Sequence, residues 1–265
     1  ASYAEHHSEL SAAEHHAQLK RAIIAATIGT TIEWYDFFLY SIVTGLVFAK
    51  LFFPESDPLV GTLQAFTIYA VGFAARPVGA AIFGHYGDRI GRKATLIATL
   101  LLMGVATFLV ALVPTYETVG IWGAVILTVL RFIQGIGVGG EWGGSVLLAM
   151  EWARTNSHRG FIASWPQFGV PAGLFLANAA VLGFSAISGD AFLEWGWRIP
   201  FLLSIILIAV GLYIRLGILE TPTFRKLVAT KRVERQPILE AIRKHPKEIV
   251  LSALLRVGEQ APFYI

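Results

Sequence analysis

Long apolar stretches separated by short charged segments run through the whole chain. A membrane-spanning helix needs about 20 predominantly apolar residues, and six stretches are long enough. They lie near residues 22–49, 61–83, 94–113, 119–150, 160–187 and 198–219. A polar tail reaches to about Lys20, and a basic segment runs from Glu220 to about Lys247. The pattern predicts an all-α integral membrane protein with six spans in this part of the sequence.

The sequence also stops inside an apolar stretch that begins near Glu248 and is cut off at Ile265. A helix ending in mid-bilayer would leave carbonyl groups without partners in hydrocarbon, which is costly. Because the sequence also begins with Ala rather than Met, we expect the front part of a longer protein. The expected segments are a cytoplasmic tail at 1–20, a six-helix bundle at 21–219, a cytoplasmic basic loop at 220–247 and the start of a seventh span at 248–265.

Composition supports a membrane protein and excludes several kinds of site. Hydrophobic residues make up 55% of the chain and charged residues 15%, with a mean hydropathy of +0.62. The chain has no cysteine, which excludes disulfides, thiolate metal sites and cysteine nucleophiles. Two Glu-His-His repeats in the tail, with His6, His7, His15 and His16, have no fixed metal-binding geometry, so no metal site is expected. The spans contain no credible nucleophile–base pair, so we expect neither an enzyme nor a cofactor.

The loops differ in charge between the two predicted sides of the membrane. Lysine and arginine are concentrated in the tail, near residues 89–93, between spans four and five, and across 220–247. The opposite loops carry only Lys50 and Arg198, next to acidic residues. The positive-inside rule therefore predicts a multi-pass protein of the cell membrane (inner or plasma membrane) with a cytoplasmic N-terminus. A solvated loop is enough to explain the basic cluster, so no nucleic-acid partner is expected.

Ionisable residues inside the predicted spans are candidates for function, because each is expensive in lipid and normally faces a cavity or a partner. Glu33 and Asp36 lie one helical turn apart in span one, and Arg131 in span four falls at a comparable depth. An Asp36–Arg131 pair that forms and breaks would load and release a proton, although a permanent structural pair is an alternative. Glu33 is a further proton-coupling candidate or a packing residue, and Glu141, flanked by glycines, is a candidate for coupling or an inner gate.

Other residues in the spans are candidates for binding a substrate. Arginine keeps its charge and can hold a carboxylate with two hydrogen bonds, so Arg76 or Arg131 is expected to contact an anionic substrate. Further candidates are polar or aromatic residues for which packing between helices is the alternative: Gln134, Gln167, Tyr40 and Asn178.

A short charged segment between spans two and three, Gly84–Lys93, is predicted to form a tight turn, and we call it the signature segment. In it Asp88 can accept bonds from Arg92 and from exposed amides at the start of span three. Glycine allows close backbone approach, and the basic residues can anchor at the lipid surface. The residues expected to act as a gating latch are Gly84, Asp88, Arg89, Gly91, Arg92 and Lys93.

The signature segment resembles the signature loop of the major facilitator superfamily. Further stretches resemble one branch of it, the metabolite:proton symporters, and within that branch the shikimate-type transporters. They are Glu33-Trp34-Tyr35-Asp36-Phe37, Arg76-Pro77, Arg131-Phe132-Ile133-Gln134-Gly135, Gly139-Gly140-Glu141-Trp142-Gly143-Gly144 and Trp195-Gly196-Trp197-Arg198-Ile199-Pro200.

The resemblance implies the six-helix N-terminal bundle of a 12-helix fold, plus the start of helix seven, with the C-terminal half of the same polypeptide as its partner in the lipid bilayer. It implies proton-coupled symport of a small organic acid or osmolyte, such as a shikimate- or dicarboxylate-like metabolite, by alternating access. The alternatives are a membrane binding or assembly protein that keeps a half-bundle without transport, and a facilitator that does not use protons. For the signature segment, the alternative to a gate is a structural anchor.

Overall fold

The structure is a computed structural model that describes residues 12–153, 159–229 and 237–264. Within these ranges the chain is almost entirely helical and contains no strand. The helices are α1 (Ala12–Val43), α2 (Ala49–Phe52), α3 (Pro58–Ile90), α4 (Arg92–Val110), α5 (Tyr116–Val119), α6 (Trp122–Glu151), α7 (Arg159–Ser164), α8 (Gly169–Ser188), α9 (Arg198–Leu202), α10 (Ser204–Leu216), α11 (Pro222–Ala229), α12 (Pro237–Lys244) and α13 (Pro246–Tyr264). A π-helical segment joins α1 to α2, and a 3-10 segment joins α7 to α8.

Six helical stretches in the described part of the chain are long and apolar enough to cross a membrane. These spans, numbered one to six, are Ala13–Phe52, Pro58–Ile90, Arg92–Val110, Trp122–Glu151, Arg159–Phe192 and Arg198–Leu216. Each overlaps one of the stretches predicted from the sequence. The predicted all-α membrane fold with six spans is therefore confirmed.

The first helix begins earlier than the sequence pattern suggests. Helix α1 starts at Ala12, so residues 12–20 of the predicted tail form its first turns. This stretch contains three alanines together with one glutamate, one glutamine, one leucine and one lysine, all of which favour helix, so its polarity does not prevent helix formation. The rest of the tail, with His6 and His7, lies outside the described residues.

The predicted turn at the signature segment is largely helical. Helix α3 continues to Ile90, and the chain direction changes only at Gly91, whose φ of +108° is accessible to glycine and strained for other residues. Charged side chains near a helix end can reach water while the backbone stays helical, so they do not mark the end of the helix.

Helices α11, α12 and α13 follow span six. Helices α11 and α12 lie in the predicted basic loop, and residues 230–236 between them, which include Lys231, Arg232 and Arg235, are outside the described part. Helix α13 occupies the predicted start of a seventh span, and its described side chains are exposed except for the half-buried Arg256. The assignment of this helix to a seventh span stays a prediction.

Helix α6 is the hub of the bundle. It packs extensively against α3 and α4 and also touches α1, while α1 packs against α8 and α10. The half of the bundle far from Gly91 is filled by an aromatic and aliphatic core that includes Leu39, Phe48 and Trp197. Polar and charged side chains inside the bundle are therefore held mainly between α1, α4, α6 and α10.

Candidate functional site: buried charge clusters in the helix bundle

Asp36 and Arg131 meet inside the bundle, in agreement with their similar predicted depth. One Arg131 Nη1 lies 3.2 Å from Asp36 Oδ2, and the two side chains are both 3% exposed. The other carboxylate oxygen, Oδ1, accepts hydrogen bonds from Thr107 Oγ1 and Gln134 Nε2, both at 2.8 Å. Gln134 Nε2 also lies 2.9 Å from the Thr107 hydroxyl. Helices α1, α4 and α6 thus build one cluster, which we call the central cluster.

Aromatic rings and a glycine complete the surroundings of the Arg131 guanidinium. Its central carbon lies 4.3 Å from the ring centre of Tyr40 and 4.9 Å from that of Tyr69, distances at which rings attract a cation. On α3, a Cβ added at Gly72 would lie 2.6 Å from Arg131 Nε. The arginine therefore occupies space that a side chain at residue 72 would fill.

The donors of the central cluster favour the ionised form of Asp36, whereas burial opposes it. Three donors face the two oxygens of its carboxylate, and one donor carries a full positive charge, which makes the strongest hydrogen bonds. Separating the pair would leave a charge buried without compensation, which costs about 3–5 kcal/mol in typical proteins. Proton binding to Asp36 would remove that cost, and the proton-coupling role expected for this pair stays a prediction.

A second buried ion pair joins α6 to α10. Both Nη atoms of Arg215 bind the Glu141 carboxylate, with Nη1 at 3.1 Å from Oε2 and Nη2 in contact with Oε1. Thr99 and Ser145 each donate to Glu141 at 2.9 Å, and Arg215 also donates to the Leu96 carbonyl. We call this set the α6–α10 cluster.

Arg215 is a residue that sequence reasoning missed. It lies in the last turn of α10, where an arginine is usually assumed to reach the lipid surface, yet it is 2% exposed. On α1, a Cβ at Gly29 would lie 2.0 Å from Arg215 Nη2, so glycine makes room for the pair. The signal that was available is Glu141 itself, because an acid inside a span requires a counter-charge. The coupling role expected for Glu141 stays a prediction.

Arg76 and Glu33 lie near the central cluster without joining it. The Arg76 guanidinium lies over the rings of Phe73, at 4.8 Å, and Phe37, at 5.6 Å, and its side chain is half-buried. Glu33 is 4% exposed, and its Oε2 has no hydrogen-bond partner among the described residues. Arg76 thus remains accessible to an incoming group, while Glu33 is enclosed.

The four polar or aromatic residues predicted to bind substrate separate into two groups. Tyr40 and Gln134 are buried in the central cluster, where they contact Arg131 and Asp36. Gln167 and Asn178 lie on span five with exposed side chains, and Asn178 Nδ2 donates to the Leu174 carbonyl at 2.9 Å. The structure therefore does not bring the four together within the six spans.

The signature segment is tied to the chain that follows span six. Arg92 binds Asp88 at 2.6 Å, as expected, and also Glu151 on α6 at 3.4 Å. The amides at the start of α4 do not bind Asp88, because Glu220 accepts from Arg92 N at 3.1 Å and Lys93 N at 3.2 Å. That expectation was wrong, since Asp88 lies in the last turn of α3.

The glycines and remaining basic residues of the signature segment have different surroundings. A Cβ at Gly91 would lie 2.1 Å from Glu220 Oε2, so close approach is confirmed there. At Gly84 a Cβ would meet nothing within 4 Å, so the expectation of close approach at this residue was wrong. Lys93 Nζ donates to the Leu216 carbonyl at 2.9 Å, and Arg89 lies 3.4 Å from His85 Nε2.

Metal binding finds no support in the described ranges. They hold no group of three or more His, Cys, Asp or Glu side chains placed to bind an ion. His15 and His16 lie on α1, and His15 Nε2 is 2.9 Å from the Trp152 carbonyl.

Six apolar spans with ion pairs buried between them and a charged segment at one end define a polytopic helical membrane protein. A family model described as sugar (and other) transporter matches residues 22–250. The chain therefore belongs to that family, within the major facilitator superfamily.

Relatives with curated descriptions are transport proteins. The chain is 43% identical over 246 residues to the inner membrane metabolite transport protein YhjE of Escherichia coli K12, covering 92% of this chain and 56% of that protein. It is 43% identical over 252 residues to the shikimate transporter of the same organism, covering 93% and 57%. It is 41% identical over 211 residues to the E. coli K12 proline/betaine transporter, covering 79% and 42%. The chain thus spans about half the length of these relatives.

Solved structures show the same fold. The partially occluded inward-open form of the E. coli xylose transporter XylE superposes with a TM-score of 0.69 at 22% identity, covering 82% of this chain and 51% of that one. An inward-open form of XylE gives 0.67 at 16% identity, covering 92% and 56%. The likeness extends over about half of XylE, which agrees with an N-terminal half of the major facilitator fold.

Proposed function

We propose that this chain forms the N-terminal bundle of a secondary active transporter that imports a small organic acid or osmolyte together with protons. The observation that carries the proposal is the Asp36–Arg131 pair, which is buried between spans and held by Thr107 and Gln134. Membership of a transporter family and relatives that carry metabolites support it. The partner in transport would be the C-terminal half of the same polypeptide, because alternating access requires two bundles that rock against each other.

The central cluster supplies a way to couple a proton to the transport cycle. While Arg131 holds Asp36, the carboxylate is compensated and has no need of a proton. When the helices shift and the pair opens, Asp36 binds a proton from the outer side, because an uncompensated buried charge is costly. When the pair forms again, Arg131 displaces that proton toward the inner side. Proton movement is thereby tied to the conformational change.

Arg76 is our candidate for recognising the substrate. Its guanidinium is half-buried over Phe73 and Phe37, without an ion pair in the described ranges, so it can receive a carboxylate with two hydrogen bonds. Gln167 and Asn178 are exposed on span five and would add hydrogen bonds from the opposite side of a cavity shared with the second bundle. The relatives carry shikimate in one case and proline or betaine in another, so the class we propose is a small anion or zwitterion with a carboxylate.

The signature segment is proposed to latch one conformation. Glu220 bridges the start of α4 and the chain after span six, and Arg92 bridges Asp88 and Glu151. These contacts join α3, α4, α6 and the chain after span six, so a movement of the helices can break them together. A set of contacts that is either formed or broken as a whole can hold one of two conformations. The basic residues around it favour a cytoplasmic location for this end, in the cell membrane.

The test is uptake by the complete polypeptide in proteoliposomes, across shikimate, 2-oxoglutarate, citrate, proline and betaine, with and without an inward proton gradient. We expect gradient-driven accumulation of at least one compound. Asp36→Asn should lose that accumulation, while Asp190→Asn, which changes an exposed carboxylate, should keep it.

Other outcomes would replace the proposal. Equilibration without dependence on the gradient would indicate a facilitator and reduce Asp36 to a structural role. No uptake of any compound, together with no binding of any compound by the purified protein, would favour a membrane assembly protein.

A further inference from the structure

Glu33 is a buried carboxyl group with one oxygen that receives no hydrogen bond from the residues that the structure describes. It lies on α1, one turn before Asp36, and is 4% exposed. Its Oε2 has no hydrogen-bond partner, and it forms no ion pair, among the residues that the structure describes. Asp36, by contrast, accepts from Arg131, Thr107 and Gln134. Two carboxylates one turn apart therefore sit in opposite environments.

This difference determines which of the two carboxylates bears a charge. An ionised carboxylate inside a membrane protein is stable only when cations or hydrogen-bond donors compensate it. Asp36 has that compensation on both oxygens. Glu33 does not have it at Oε2, so its neutral acid form is the one that this environment accommodates.

The charged groups around Glu33 come from four helices. They are Asp36 on the same helix, Arg76 on α3, Glu141 on α6 and Arg256 on α13. Asp36 and Glu141 are each neutralised by an arginine of their own cluster. Arg256 lies 4.2 Å from the ring centre of Trp142, and Arg76 lies over Phe73. In this conformation the guanidinium groups of Arg76 and Arg256 therefore lie over aromatic rings, and neither forms an ion pair with Glu33 among the described residues.

We propose that Glu33 is a second proton-binding residue of the transporter and holds its proton while Asp36 is paired with Arg131. Release follows when the Arg76 guanidinium leaves the Phe73 ring and approaches Glu33. The carboxyl O–H bond then breaks, the proton passes to water, and the resulting carboxylate pairs with Arg76, whose own charge does not change. This inference rests on the proposed proton-coupled function, and its test reads protonation directly rather than transport.

The test is infrared spectroscopy of the complete polypeptide in lipid nanodiscs at neutral pH. A protonated carboxylic acid has a C=O stretching band that is separate from the bands of carboxylates and amides. We expect a band from a buried acid in the unsubstituted protein and its loss in E33Q. The band should remain in D36N, the matched change of the neighbouring carboxylate. In E33D it should remain at a shifted frequency.

Isotope labelling gives the same information without any substitution. Carboxyl-13C glutamate should shift the band, and carboxyl-13C aspartate should leave it in place. A band that survives in E33Q, or that moves with labelled aspartate, would overturn the inference. Absence of gradient-driven uptake, with the Glu33 band present, would overturn the proposed function and leave the protonation of Glu33 established.

Discussion

The α6–α10 cluster offers the sharpest test of how buried charge is stabilised in this bundle. Replacing Arg215 by methionine removes the cation and leaves Glu141, which is 0% exposed, with only Thr99 and Ser145 as donors. Loss of one partner from a buried ion pair typically costs about 3–5 kcal/mol. That corresponds to a change of about a hundred-fold to several-thousand-fold in the folding equilibrium. We therefore expect Arg215→Met to be strongly destabilising.

The double variant Glu141→Gln/Arg215→Met should recover most of this loss. It removes both charges, and glutamine keeps an oxygen that can accept from Thr99 and Ser145. Neutral replacements of a whole buried pair are often tolerated or stabilising. The measurement is reversible unfolding in mixtures of a non-denaturing and a denaturing detergent, followed by tryptophan fluorescence. The control is Arg159→Met, which changes an exposed arginine.

Two results would refute this reasoning about the pair. If Arg215→Met unfolds like Arg159→Met, the contacts of Arg215 with Glu141 add nothing to stability. If the double variant is as unstable as the sum of the single variants, the cost does not arise from an uncompensated charge. An uptake measurement on the double variant distinguishes a structural role of Glu141 from a role in transport. If the double variant is stable but lacks gradient-driven uptake, Glu141 takes part in coupling or in an inner gate.

Two further predictions concern the space around Arg131 and the capping of α4. Gly72→Ala places a Cβ 2.6 Å from Arg131 Nε, and overpacking of this kind costs about 1–3 kcal/mol. We therefore expect a lower unfolding midpoint and reduced uptake. Unchanged values of both would mean that the helices move apart at no cost. Glu220→Gln keeps an oxygen that can accept from the amides of Arg92 and Lys93 but removes the negative charge at the start of α4, and it should destabilise by about 0.3–1 kcal/mol. We expect faster proteolysis after span six than in the control Glu194→Gln, which changes an exposed acid. Equal proteolysis of the two variants would contradict a capping role for Glu220.

The six spans were predictable because the bilayer imposes a minimum apolar length on each helix. The depth count along spans one and four likewise placed Asp36 and Arg131 at a similar level, and their contact follows from the packing of α6 against α1. Helix ends were harder to predict. Polar residues at 12–20 and at the signature segment continue helices past the apolar stretches, because water accommodates a charged helix as readily as a charged loop.

The partners of the buried charges could not be predicted, because they depend on the rotation of each helix about its axis. Arg215 and Glu220 gave no local signal, since an arginine near the end of a span and an acid after it are common at a membrane surface. Their contacts are with Glu141 and with the start of α4, which lie far away in sequence. The position of a residue along a span predicts how deep its side chain lies in the membrane, but not which neighbouring helix the side chain faces.

Helix α6 links the two buried pairs in a way that bears on how the bundle moves. It supplies the cation Arg131 to one cluster and the anion Glu141 to the other, ten residues apart, or about 15 Å along one continuous helix. Helix α1 faces both, through Asp36 in the first and through Gly29 in the second. A shift of α6 against α1 large enough to open the Asp36–Arg131 pair would therefore also press on, or relieve, the contact of Gly29 with Arg215. Because Gly29 leaves space for the Arg215 guanidinium and a side chain there would collide with it, we expect Gly29→Ala to disturb the α6–α10 cluster first and, through the shared helices α1 and α6, the Asp36–Arg131 pair as well.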